Sequence, residues 1–175
     1  MKKTLVCNLF AGPGAGKSTT AAGAFSLLKQ AGRNVEYVSE YAKDLTWGEH
    51  FFALGDQVHI LGEQHFRLFR LFGKVEAIIT DSPLILGLLY SDPKMPESYK
   101  QLVLDLHNSM NTLNFFILRD KPYNPKGRNQ TLEQSLKIDI AANELLIKNR
   151  IDFINIPGDA EASQRVFKAI TERLG

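Results

Sequence analysis

Residues 11–18 read AGPGAGKS, and residues 4–10 before them read TLVCNLF. The first stretch follows the pattern G-x-x-x-x-G-K-[ST], with Ala11 at the place of the opening glycine. Gly12, Gly14 and Gly16 free the backbone to take angles that other residues resist, so successive N–H groups can turn toward one phosphate. A helix beginning at Ser18 adds the positive end of its dipole. In such a loop Lys17 reaches the β- and γ-phosphates and Ser18 holds Mg2+. The nucleotide-binding segment is therefore Gly12, Pro13, Gly14, Ala15, Gly16, Lys17, Ser18 and Thr19. Ala11 asks whether the first position needs a positive φ. The context is the one this chemistry requires, namely an apolar run, the glycine loop, then an alanine- and leucine-rich helix.

Outward from the loop, strand and helix signals alternate. The spacing predicts strands at 4–10, 34–39, 75–80, 113–118 and 151–156. Helices are predicted at 18–31, ended by Gly32, and at 56–72, with Asp56 as N-cap and Gly73 as stop. Further helices follow at 97–110, at about 131–149, and after Pro157-Gly158-Asp159. Such alternation predicts an α/β fold of the P-loop NTPase type: a five-stranded parallel sheet with helices on both faces. Strand order does not follow from these signals. The whole chain, 1–175, reads as one domain with a short lid at about 120–130.

Parallel strands deliver their C-terminal ends to one edge, where ligands bind. Asp81 ends the run Ala77-Ile78-Ile79-Thr80 and is predicted to lie near Mg2+; capping of the Ser82-Pro83 turn is its structural alternative. Glu40 follows the second strand and faces the same edge. It is the candidate for orienting, and deprotonating, an acceptor hydroxyl. Arg119, Lys121, Lys126 and Arg128 lie at the end of the fourth strand or in the polar loop after it. Arg128 is the candidate that closes over the moving phosphoryl group. Trp47, Phe51, Phe52 and Tyr90 flank the predicted acceptor side, with core packing as the expectation for the phenylalanines and stacking for Trp47.

Composition excludes several classes. The apolar fraction is 44% and the charged fraction 23%, as in ordinary globular proteins. A net charge of +2 makes no case for nucleic acid or membrane binding. The single cysteine, Cys7, permits no internal disulfide and no thiolate zinc site, and it reads as a buried structural thiol. The four histidines (50, 59, 65 and 107) lack metal spacing. The basic start and short apolar run read as a first strand rather than a signal peptide. No segment approaches the roughly 18 apolar residues of a membrane span. The expectation is a cytoplasmic protein.

AGPGAGKST, SEYAKDLTW, IITDSP and GRNQT, taken together, resemble the small P-loop kinases related to ribosylnicotinamide kinase domains, many of them carried by bacteriophages. The likeness runs from residue 4 to about 160. It implies a nucleoside/nucleotide-kinase-like fold, ATP as donor with Mg2+, and the host cytoplasm as location. By the same resemblance the Glu40-Tyr41 pair faces the acceptor, the lid carries Arg128, and the loop Pro157-Gly158-Asp159 lies beside adenine. Three functions stay open. The first is a kinase for a hydroxyl of a nucleoside or nucleotide. The second is a kinase for a hydroxymethylated pyrimidine in DNA, which the near-neutral charge does not favour. The third is an ATPase or switch acting on a protein partner. The acceptor and the oligomeric state are not legible here.

Overall fold

The apolar runs become the strands β1 (Leu5–Phe10), β2 (Val35–Val38), β3 (Ala77–Thr80), β4 (Asn111–Leu118) and β5 (Ile154–Pro157). A computed structural model describes residues 4–126 and 130–175. All strand pairs are parallel, in the order β2-β3-β1-β4-β5. The helices are α1 (Lys17–Gln30), α2 (Tyr41–Trp47), α3 (Phe51–Leu54), α4 (Gln57–Phe69), α5 (Gly87–Tyr90), α6 (Glu97–Ser109), α7 (Leu132–Lys148) and α8 (Ala162–Leu174).

Alternation along β1 sends side chains to two cores. Leu5, Cys7 and Leu9 join Ala21, Ala24 and Leu28 of α1 and Val166 and Ile170 of α8. Val6 and Phe10 face Leu61 and Leu68 of α4, Val103 of α6, and Ala142 and Leu146 of α7. Every residue of β1 is buried, which is why the run carries no alternation in its sequence. Each large aliphatic or aromatic side chain so buried contributes about 1.5–3 kcal/mol. Asn8 is the polar exception in that run. Its amide donates to Asn114 Oδ1 at 2.9 Å, and Asn114 donates to the Asp152 carbonyl at 3.0 Å, so the buried pair is satisfied.

Local signals set the element ends. Asp56 caps α4 by accepting from the amides of Val58 and His59. The helix expected over 56–72 stops at Phe69. Beyond it the chain tightens into three-residue bonds, Leu71 to Leu68 and Phe72 to Phe69, before Gly73 turns at φ 74°. Thr131 and Gln134 form a reciprocal capping box that starts α7. Two short helices, α2 and α3, fill the 41–54 stretch where the sequence shows no period.

The order β2-β3-β1-β4-β5 places the chain reversal at β1. β1 leads on to α1 on one face of the sheet, whereas its neighbours β3 and β4 lead on to α6 and α7 on the other, which opens a crevice beyond the C-terminal end of β1. The segments after all five strands, carrying Glu40, Asp81, the loop at 11–16, Arg119 and Gly158, emerge along this edge. No helix among the described residues is long and apolar enough to cross a membrane.

Candidate functional site

The glycine loop leaves β1 and enters α1 through Gly16, whose φ of 107° is left-handed; Gly14 stands at 79°. Ala11 keeps an ordinary negative φ and is buried, so the first position does not require glycine in this chain. Lys17 folds back over the loop. Its ammonium donates to the Ala11 carbonyl at 2.7 Å and to the Gly12 carbonyl at 3.2 Å. Burial pushes the Lys17 amine below its ordinary range, while Glu40, Asp81 and Asp139 oppose that shift and Arg119 adds to it.

The loop rests on α7. Gly12 needs its missing side chain here, because a β-carbon would lie 2.4 Å from the Ser135 carbonyl oxygen. The Gly12 amide donates to Asp139 Oδ1, so this N–H is already committed within the protein. Asp139 Oδ2 accepts from Arg119 Nε at 2.8 Å, and Arg119 Nη2 donates to the Pro13 carbonyl at 2.9 Å. Arg119 Nη1 is buried, without a hydrogen-bond partner among the described residues, and lies toward Gly14. Sequence reasoning missed Asp139, which sits in a helix among other polar residues with no motif around it.

Asp81 follows β3 and is 2% exposed. It does not cap the next turn, since the Ser82 amide donates to Thr80 Oγ1. Among the described residues Asp81 Oδ1 has no hydrogen-bond partner. A bare buried carboxylate oxygen at a strand end suits a divalent cation. No group of three or more His, Cys, Asp or Glu among the described residues builds a protein cage for a metal. Tyr37 of β2 stands beside Asp81; burial first, and then the Asp81 charge and hydrogen bond, push its hydroxyl above the ordinary tyrosine range.

Glu40 occupies the N-cap position of α2, yet its side chain makes no cap hydrogen bond. It turns into the crevice. Burial pushes its carboxyl above the ordinary range; Lys17 opposes this and the Asp81 charge adds to it. Lys17, Glu40 and Asp81 thus form one electrostatic cluster. Together with Pro13, Gly14, Gly16, Ser18 and Thr19 they line a cavity of about 470 Å3. Its far wall carries Trp47, Leu54, Gln57, Leu61, Gln64, Leu86, Tyr90 and Tyr99. Gln64 has both ends engaged, accepting from the Tyr41 amide and donating to the Ser39 carbonyl.

Gly12 and Ala15 do not line this cavity. Gly12 backs onto α7, and the Ala15 methyl lies in the core under α1. Lys126 lines the cavity wall, and Lys121 lies within electrostatic reach of Asp159. Arg128 falls outside the described residues. Trp47 and Tyr90 line this cavity. Core packing of Phe51 and Phe52 is corrected: they are 57% and 99% exposed. The four-residue α3 lies beside the cavity, and no layer of the described residues covers those rings. His59 pairs with the Tyr41 hydroxyl at 2.8 Å and His65 stacks on Phe69, while Nδ1 of the buried His107 has no hydrogen-bond partner among the described residues. The Gly158 amide donates to the Leu118 carbonyl at 2.9 Å, and Asp159 pairs with Arg165. No protein-family model and no curated protein matches this chain.

Proposed function

We propose that this chain is an ATP-dependent kinase of nucleoside/nucleotide-kinase-like P-loop fold, moving the γ-phosphate to a hydroxyl of a nucleoside or nucleotide. The observation that carries the reading is the convergence of Lys17, Ser18, Asp81 and Glu40 on one cavity walled by Trp47 and Tyr90. A volume of about 470 Å3 suits a small organic molecule.

In this reading the Lys17 ammonium leaves the Ala11 and Gly12 carbonyls and meets the β- and γ-phosphates. Ser18 and Asp81 would hold Mg2+, which neutralises charge on the phosphate oxygens when bound. Trp47 stacks on the acceptor ring and sets its distance from the loop. Glu40 accepts a hydrogen bond from the acceptor hydroxyl and takes its proton as the new P–O bond forms and the bond from the γ-phosphorus to the β,γ-bridging oxygen breaks, releasing ADP. A carboxylate pushed upward by burial is the stronger base. Arg128, carried by the lid at about 120–130, closes over the transferring group and excludes water.

A second reading keeps the chemistry and changes the acceptor to a hydroxymethylated pyrimidine in DNA. Phe51 and Phe52, exposed on the same turn as the cavity residue Leu54, favour it, since open rings stack unpaired bases.

The test is incubation with γ-labelled ATP and Mg2+ beside nucleosides, nucleoside monophosphates and hydroxymethyluracil-containing DNA. Label on a small acceptor, lost in Lys17→Ala and in Glu40→Gln, supports the first reading. Label on DNA supports the second. Label only in free phosphate refutes both and leaves an ATPase or partner-directed switch.

A further inference from the structure

Asp139 spends both carboxylate oxygens on the phosphate loop. Oδ1 takes the Gly12 amide, and Oδ2 takes Arg119 Nε at 2.8 Å. The arginine returns to the same loop one residue on, giving Nη2 to the Pro13 carbonyl at 2.9 Å. One ion pair therefore grips two consecutive residues of the loop, by the N–H of the first and the C=O of the second. The pair is largely out of water, with side chains 11% and 17% exposed. Weak solvent screening makes such a grip stiff, and removal of one partner costly.

The two residues also bracket a segment of chain. Arg119 directly follows β4, and Asp139 lies in α7, two turns beyond its capping box. The stretch expected to act as a lid runs between them. Within it the Tyr123 ring lies over Gly14, where a β-carbon would come within 2.8 Å of the ring, and the Tyr123 hydroxyl donates to the Gln130 carbonyl. The two residues that bracket that stretch are thus both tied to the loop. An ion pair serving only packing has no need to direct its remaining hydrogen-bonding groups at the loop backbone.

We propose that Asp139 is a positioning residue of the phosphate loop, holding the Gly12 amide and, through Arg119, the Pro13 carbonyl, so that the loop keeps the geometry that receives a nucleoside triphosphate. This rests on the kinase reading above. Asp139 touches no reacting atom. It acts through the backbone it pins, and its loss moves nucleotide binding while leaving the acceptor wall of Trp47 and Tyr90 in place.

The experiment titrates the parent protein and Asp139→Asn with a fluorescent ATP analogue, and measures KM for ATP and for the acceptor, with melting temperature alongside. Asparagine keeps the shape and leaves Arg119 in place, so the comparison reads the carboxylate alone. The expected result is a rise of roughly tenfold or more in analogue Kd and ATP KM, the scale of one charge-assisted hydrogen bond. Acceptor KM stays unchanged, a split that general loosening of the fold does not produce. Arg119→Lys, which keeps the charge but lacks the planar fork, shifts ATP KM in the same direction. Analogue binding by Asp139→Asn within twofold of the parent overturns the role of Asp139. Failure of the parent itself to bind the analogue overturns instead the kinase reading, and this proposal with it.

Discussion

Gly12→Ala tests how tightly the loop is seated on α7. The added β-carbon falls 2.4 Å from the Ser135 carbonyl oxygen and 2.9 Å from Asp139 Oδ1, where ordinary contact begins at 3.4 Å. The Ser135 oxygen is helix backbone and cannot swing aside, so the loop must lift by about 1 Å. Overpacking of this kind costs about 1–3 kcal/mol. The lift also breaks the Gly12 bond to the carboxylate, a further loss of about 1.5–3 kcal/mol. Together these amount to about 4 kcal/mol, or a fall of roughly 10 °C in melting temperature for a chain of this length. A displacement of that size at the loop lowers transfer by on the order of a hundredfold. Gly62→Ala is the counterpart: nothing lies within 4 Å of its added carbon in the exposed face of α4. It stabilises by about 0.5–1 kcal/mol, because glycine in a helix loses more entropy on folding. Circular-dichroism melts and ATP kinetics on both variants check the argument. Gly12→Ala melting within about 2 °C of the parent, with unchanged ATP KM, refutes the close seating.

Glu40 has its carboxyl pKa raised in the folded chain, by burial above all. Its contribution to stability is therefore present below the ordinary carboxylate pKa and lost as pH rises through the folded value. Glu40→Gln is expected to melt higher than the parent at pH 8 while losing transfer, with the difference closing near pH 4; a variant that melts lower at pH 8 contradicts this. Asp81→Asn removes the bare anionic oxygen and is expected to reduce transfer by roughly a hundredfold or more, with weakened Mg2+ dependence. Retained activity at parental Mg2+ concentrations would remove Asp81 from the site. Trp47→Ala is expected to raise acceptor KM by about fivefold to thirtyfold, a loss of roughly 1–2 kcal/mol of stacking, at unchanged ATP KM; a shift in ATP KM alone would move Trp47 away from the acceptor.

Local physics wrote much of the fold into the chain. TLVCNLF is apolar throughout because both faces of β1 are covered, and such a run reads as a buried strand without tertiary information. Asp56 and Thr131 announce helix starts because an N-cap needs only its own side chain and the amides two or three residues on. The glycine loop is legible for the same reason: glycines, lysine and serine stand at fixed offsets within a few residues of one another. Asp81 and Glu40 were legible as strand-end acids because parallel strands all point their C-terminal ends the same way.

Other features depend on elements far apart in sequence. The order β2-β3-β1-β4-β5 follows from which faces pack, and no local signal encodes it. The exposure of Phe51 and Phe52 depends on what the other described residues leave uncovered over α3, a property of the finished molecule. Asp139 is the clearest case. In sequence it is one polar residue among many in an amphipathic helix, 127 residues from Gly12. Only the passage of α7 beneath the loop turns its two oxygens toward Gly12 and Arg119. The sequence by itself determined the loop and the strand that carries it, because those depend on neighbours in the chain. The tertiary structure decided what holds the loop still, because that depends on groups brought together only by the crossing of α7 under the end of β1.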